Sequence, residues 1–187
     1  MMELVVTDLK KSYDGRGVLD GLSFTAPVGL TRIVGDSGIG KTTLLRILLG
    51  LERADSGTAA PKDLRWAAVF QEDRLLEHLD AAGNLRFALG AAYDGQEAAR
   101  LLEELGIGDV GEKKVRDYSG GMKRRLALAR ALLAPCDALA LDEPFTGLDA
   151  GNRDIALSCI LRAAEKRIVL LAAHEALDLP DAHTVQM

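Results

Sequence analysis

The stretch Gly35-Asp36-Ser37-Gly38-Ile39-Gly40-Lys41-Thr42 constrains this chain more than any other. It follows a short apolar run, Leu30–Val34, and leads into Lys41–Leu49, a helix-forming run closed by Gly50. Strand, glycine-rich turn and helix are the context that the spacing G-x-x-x-x-G-K-[ST] requires. Gly38 and Gly40 lack a Cβ, so the backbone can curl and point successive N–H groups inward. The helix start adds the positive end of its dipole. Lys41 and Thr42 then supply an ammonium and a hydroxyl where a polyphosphate and a hard cation need them. The expectation is a nucleotide-binding loop made by residues Gly35, Asp36, Ser37, Gly38, Ile39, Gly40, Lys41, Thr42 and Thr43.

The rest of the chain reads as an α/β fold built around that unit. Glu3–Thr7 and Leu22–Ala26 form short strands joined by the polar turn Asp14-Gly15-Arg16-Gly17, an N-terminal antiparallel portion. Trp66–Gln71 is a further strand. From Ala81 to about Asp117 helix formers dominate, interrupted by glycines, with Glu97–Leu105 as the clearest helix. This stretch, about 81–118, is expected as a small helical subdomain, with 1–80 and 119–187 as the core of a single domain. Gly121–Ala134 is a stronger helix with Met122, Leu126, Ala129 and Leu133 on one stripe. Its Lys123-Arg124-Arg125 cluster is expected on the solvated side. Asp137–Leu141 and Ile168–Ala172 are continuous apolar runs, as in buried parallel strands. Ala182–Met187 is expected as one abbreviated last strand. Alternating strands and helices predict a mostly parallel central sheet with helices on its faces.

Several polar residues fall where such a sheet binds ligands, at the carboxyl ends of its strands. Asp142 and Glu143 follow the apolar strand Asp137–Leu141. Two solvated carboxylates would be the ordinary reading, but this strand is too apolar for an edge. Asp142 suits Mg²⁺, together with Thr42 and the amide oxygen of Gln71. Glu143 can orient and polarise an attacking water, in a reaction that depends mainly on positioning and charge neutralisation. His174 follows Ile168–Ala172 and can both donate and accept, which fits a γ-phosphate contact. Tyr13 precedes a turn and can stack on an adenine face. Ser119-Gly120-Gly121 opens a second helix with a hydroxyl, flexible glycines and a dipole end. One triphosphate hardly needs two such sites. The economical reading is a two-fold dimer holding two nucleotides, each between one chain's loop and the other's Ser119 segment.

With these segments in view, the sequence resembles the ATP-binding subunits of ABC transporters. Tyr118-Ser119-Gly120-Gly121-Met122 resembles the family's LSGGQ signature, with Met122 where glutamine is usual. Leu141-Asp142-Glu143-Pro144-Phe145 is similar to the Walker B segment and Gly147-Leu148-Asp149 to the D-loop. Gln71 falls at the Q-loop, His174 at the switch histidine and Tyr13 at the adenine-stacking position. The resemblance covers essentially the whole chain. It implies ATP and Mg²⁺ as cofactors and hydrolysis at a dimer interface, with Glu143 as general base and His174 and Gln71 beside it. Ser119, Gly120, Gly121 and Asp149 would serve the partner copy's nucleotide. It also implies transmembrane permease subunits as partners, a solute-binding protein in the full system, and a place on the cytoplasmic face of the membrane. Val69-Phe70-Gln71-Glu72-Asp73-Arg74-Leu75-Leu76 and Asp-Glu-Pro-Phe resemble importer subunits for nitrate, sulfonates and taurine.

Composition narrows the alternatives. The net charge of −5 argues against nucleic acid as a partner. No apolar run reaches the roughly 18 residues that a bilayer crossing needs, and Met1-Met2-Glu3-Leu4 has no leader-like pattern. Cys136 and Cys159 lack metal-ligand spacing and read as reduced, buried thiols. A soluble, non-transport ABC ATPase is the alternative. Its usual coiled-coil insertion, zinc module or second cassette is not in this sequence.

Overall fold

The computed structural model describes residues 2–108, 111–173 and 182–187. Its frame is two sheets. Strands β1 (Glu3–Tyr13), β2 (Arg16–Pro27) and β4 (Ser56–Ala60) make an antiparallel sheet in the order β2-β1-β4. Strands β3 (Gly29–Val34), β5 (Trp66–Val69), β6 (Ala138–Asp142), β7 (Ile168–Ala172) and β8 (His183–Gln186) make the second sheet. Its order is β5-β6-β7-β3-β8, and its pairs are parallel. Helices α1 (Lys41–Leu48), α2 (Ala81–Leu89), α3 (Gly95–Glu104), α4 (Gly120–Leu133) and α5 (Ala150–Ala164) complete the framework.

The continuous apolar runs sit where full burial demands them, and every residue of β6 and of β7 is buried. Alternate side chains serve opposite faces. Leu139, Leu141, Val169 and Leu171 join α2, α3, α4 and α5 in one core, with Leu85, Leu102, Leu126 and Ile160. Ala138, Ala140, Ile168, Leu170 and Ala172 face the other way and join Leu44, Leu45 and Leu48 of α1 with Leu4, Val6 and Leu9 of β1. Helix α1 is therefore held in the core shared by the two sheets, and that fixes the loop at its N-terminus. At the far end of β6, Arg65 forks onto Asp137 through Nε (2.9 Å) and Nη2 (2.8 Å), aligning the starts of β5 and β6.

The structure differs from the sequence expectation in four places. The first hairpin is far longer than Glu3–Thr7 and Leu22–Ala26. Its ladder runs from Glu3↔Pro27 to Tyr13↔Arg16. Register shifts after Val6, Leu9 and Lys11 break the alternation that marks a strand in sequence. Asp14 and Gly15 at φ 50 and 78 provide the turn that matches strand twist. Second, β4 is an addition. Ser-Gly-Thr-Ala-Ala carries almost no strand signal and is ordered by pairing with β1. Third, α5 occupies 150–164, which the sequence reading leaves unassigned. Its first turn holds Gly151 and Asn152, poor helix formers, and is secured by the Asp149 cap and by Ala156, Cys159 and Ile160 on the core side.

Fourth, Lys123-Arg124-Arg125 is not a solvated flank. Arg124 is buried. Arg125 donates to the Leu105 carbonyl (2.7 Å) and to Asn152 Oδ1 (2.8 Å), while Lys123 reaches Glu77 (2.8 Å). Helix α4 has neighbours on most of its circumference, so its charged side chains become ties between loops rather than a wet face.

Candidate active site

The parallel sheet ends, at its carboxyl side, in the loop after β3 and the turn after β6. At Gly40 the backbone has φ 119, and a Cβ there would stand 2.8 Å from Val18 Cγ1. Glycine thus lets the loop press against β2. Gly38, at φ 78, has open space around its missing Cβ, so its need is conformational alone. The Lys41 side chain is buried and its Nζ donates to the carbonyls of Gly35 (2.7 Å) and Asp36 (2.9 Å). Those two bonds keep a desolvated ammonium satisfied and close the loop around it.

One position further, Thr42 Oγ1 donates to Asp142 Oδ2 at 2.8 Å, and Gln71 Nε2 lies 3.5 Å from the same hydroxyl. Helix α1 thereby meets the end of β6 and the first residues after β5 at one point. Asp142 is only 3% exposed. Burial, reinforced by the neighbouring Glu143 charge, pushes its carboxyl above the ordinary carboxylate range, and the Thr42 hydroxyl and Arg124 pull the other way. A buried carboxylate in this state is well suited to a cation.

Glu143 follows β6 in left-handed backbone at φ 51. Its N–H donates to the Ala172 carbonyl (2.8 Å), and Thr146 Oγ1 lies 3.4 Å from Glu143 Oε2. A cavity of about 290 Å³ joins these groups, lined by Tyr13, Ser37, Lys41, Thr42, Gln71 and Glu143 among others. Tyr13 is half exposed, with Lys11 Nζ 4.9 Å from its ring centroid.

Of the residues singled out from sequence, Tyr13, Ser37, Gly38, Gly40, Lys41, Thr42, Thr43, Gln71, Asp142 and Glu143 line this one cavity. Gly35 and Asp36 shape the loop through their carbonyls, and Ile39 is exposed beside it. Ser119, Gly120, Gly121 and Asp149 are not among the lining residues. Ser119 is exposed and caps α4 by accepting from the Met122 N–H (3.3 Å). Asp149 is exposed and caps α5 through Asn152 (2.9 Å). A Cβ on Gly121 would meet the Gly147 carbonyl at 3.0 Å, so glycine brings the start of α4 close to the turn before α5. His174 lies outside the described residues. His78 and His183 are exposed, as expected.

Two residues of the site carry no recognisable sequence signal. Val18 lines the cavity as an ordinary residue of β2. Arg124 grips the ends of both β5 and β6, yet in sequence it is one of three adjacent basic residues on a helix.

The donor set can be tested against the cation that a polyphosphate brings. Among the described residues no group of three or more His, Cys, Asp or Glu side chains could hold a metal by itself. One hydroxyl, one buried carboxylate and one amide converge instead. Such a sparse, oxygen-rich set fits Mg²⁺, which keeps waters and shares its ligands with phosphate.

Comparison with known proteins points the same way. Residues 19–146 match the family described as ABC transporter. An aliphatic sulfonates import ATP-binding protein of Rhizobium johnstonii is 36% identical over 211 residues, covering 95% of this chain and 77% of that protein. Its namesake from Delftia acidovorans is 40% identical over 171 residues, 88% of this chain and 70% of that protein. Among solved structures, an ABC transporter ATP-binding protein of Pyrococcus furiosus superposes with a TM-score of 0.88 at 25% identity. That alignment covers 99% of this chain and 97% of the other.

Proposed function

This chain belongs to the ABC transporter family of ATP-binding proteins, and we propose that it hydrolyses ATP to drive import of a small molecule through a membrane permease. The observation that carries this reading is the convergence of Lys41, Thr42, Gln71, Asp142 and Glu143 on one cavity at the carboxyl side of the sheet. Lys41 and the loop N–H groups bind the β- and γ-phosphates. Thr42, Asp142 and Gln71 hold the cation, directly or through water. When bound, Mg²⁺ supplies neutralisation of charge on the phosphate oxygens. Tyr13 stacks on the adenine.

Glu143 is the base. Its carboxylate accepts a proton as water oxygen bonds to the γ-phosphorus, and the bond from phosphorus to the β–γ bridging oxygen breaks, leaving ADP and phosphate. Much of the acceleration comes from holding water and phosphate in line. His174 is read as the γ-phosphate contact.

The exposed Ser119-Gly120-Gly121 start of α4 lies off this chain's own cavity, which supports its use by a second copy. Each nucleotide would then sit between one chain's phosphate loop and the other's α4 N-terminus, with Asp149 at the junction. We read 81–118 as the subdomain that transmits closure to the permease, on the cytoplasmic side. Among the described residues no helix is long and apolar enough to cross a membrane, in keeping with attachment through a partner. The relatives named as aliphatic sulfonates import proteins point to a small organic anion as cargo, delivered by a solute-binding protein.

The test is a mixing experiment. Glu143→Gln should bind ATP normally, lose roughly 10²–10⁴-fold in turnover, and run as an ATP-dependent dimer on size-exclusion chromatography. Lys41→Ala and Ser119→Arg should each be inactive alone, and a mixed dimer of the two should regain one complete site. Wild-type turnover by Glu143→Gln removes the assigned base. Equal inactivity of every mixture removes the shared site.

A further inference from the structure

Arg124 lies on α4, five positions past Ser119, and is 3% exposed. A guanidinium at that depth persists only where its N–H groups find acceptors. Its acceptors lie in two separate segments. Nη1 donates to the Phe70 carbonyl and to Asp73 Oδ1 (2.9 Å). Nη2 donates to the carbonyls of Glu143 (2.7 Å) and Asp142 (3.3 Å). Phe70 immediately precedes Gln71, and Glu143 carries the base.

Both segments lie where their strands end. β5 stops at Val69, and the stretch from there to Asp80 contains no helix or strand. Glu143, at φ 51, turns out of the line of β6. Left-handed backbone on a bulky residue persists when its surroundings over-determine it. Here the Glu143 N–H is held by the Ala172 carbonyl and the Glu143 carbonyl by Arg124. Arg130, from the same helix, extends the grip by donating to the carbonyls of Asp73 (2.8 Å) and Arg74 (2.7 Å).

We propose that Arg124 is a positioning residue for ATP hydrolysis, bridging the carbonyls of Phe70, Asp142 and Glu143 so that Glu143 is held in register with Gln71 across the cavity. Arg124 does not line the cavity, so it acts through the groups it holds. This rests on the reading of Glu143 as the base. Because Ser119 and Arg124 share one helix, the same guanidinium also ties the start of α4 to the ends of β5 and β6.

The experiment uses the full chain with Arg124→Gln and the milder Arg124→Lys, which keeps the charge but loses the planar fork. Turnover should fall about a hundredfold, as for small misplacements of catalytic groups. The Kd for ATP should stay within about threefold, because Lys41 and the loop are untouched. In nucleotide-free protein, amide hydrogen exchange should quicken at least tenfold or so at 71–74 and 143–146, with β7 unchanged. In a Glu143→Gln background, Arg124→Gln should cost far less than a hundredfold or so, since placing an absent base no longer matters. A full loss in that background, or unchanged exchange in both segments, overturns the proposal. So does loss of cooperative melting in both variants, which would make Arg124 a folding residue. If wild type does not turn over ATP, or Glu143→Gln matches it, the base assignment fails first. With those controls intact, only the role of Arg124 is at stake.

Discussion

Gly40→Ala probes how the phosphate loop is attached to the body of the protein. Gly40 has φ 119 and ψ 8, and an L-residue there should cost about 1–3 kcal/mol in backbone strain. Its Cβ would also stand 2.8 Å from Val18 Cγ1, 3.1 Å from the Val18 carbonyl oxygen and 3.2 Å from Leu19 Cδ2. Relieving that overlap against β2 should add roughly 1–3 kcal/mol. The total, about 2–6 kcal/mol, corresponds to a fall in Tm of roughly 5–20 °C for a chain of this size. Gly38→Ala is the internal control. At φ 78 with nothing within 4 Å of the new Cβ, it carries only the backbone part, about 1–2 kcal/mol. Thermal melts by circular dichroism, without nucleotide, compare the two, and calorimetric titration with ATP reads the loop. Gly40→Ala should melt well below Gly38→Ala and bind ATP more weakly. Adding Val18→Ala should recover part of the loss, because it removes Cγ1. Equal melting of the two glycine variants, or strict additivity of Gly40→Ala with Val18→Ala, would refute the attachment.

Asp142→Asn should separate stability from function. In the folded chain the carboxyl holds its proton more tightly than the 3.8 of an ordinary aspartate, chiefly because it is buried. Its stabilising contribution is therefore fully present below that value and is lost as pH rises through the higher folded one, so the ionised form is a burden at neutral pH. In EDTA at pH 7 the asparagine variant should melt about 2–4 °C higher, for about 1 kcal/mol, while Mg²⁺-dependent turnover collapses. A lower Tm at pH 7, or a gain undiminished below pH 3.8, would contradict the burial argument. Cys159 should be nearly inert. Burial first, then Glu104, raises its thiol from 9.0 to about 11, so native alkylation at pH 8 should be at least about a hundredfold slower than in the unfolded chain. Comparable rates would show that the thiol is not buried as described.

The fold was legible because its most buried parts have the simplest sequence patterns. Ala138–Leu141 and Ile168–Ala172 are apolar on both faces, and strands packed on either side have to be. The phosphate loop was legible because glycine conformation and charge placement are local properties. The hidden elements owe their form to partners. β4 is ordered by β1, and the bulged half of β1 by β2.

The sequence alone determined which chemistry is present. An ammonium at 41, a hydroxyl at 42 and two carboxylates at 142 and 143 sit in segments whose local geometry the chain encodes residue by residue. Tertiary structure alone decided that these groups meet. Thr42 touches Asp142 across a gap of 100 positions, and Arg124 spans from the end of β5 to the end of β6. Local propensity is set by neighbours along the chain, whereas a buried guanidinium finds its acceptors only among carbonyls that folding has brought together.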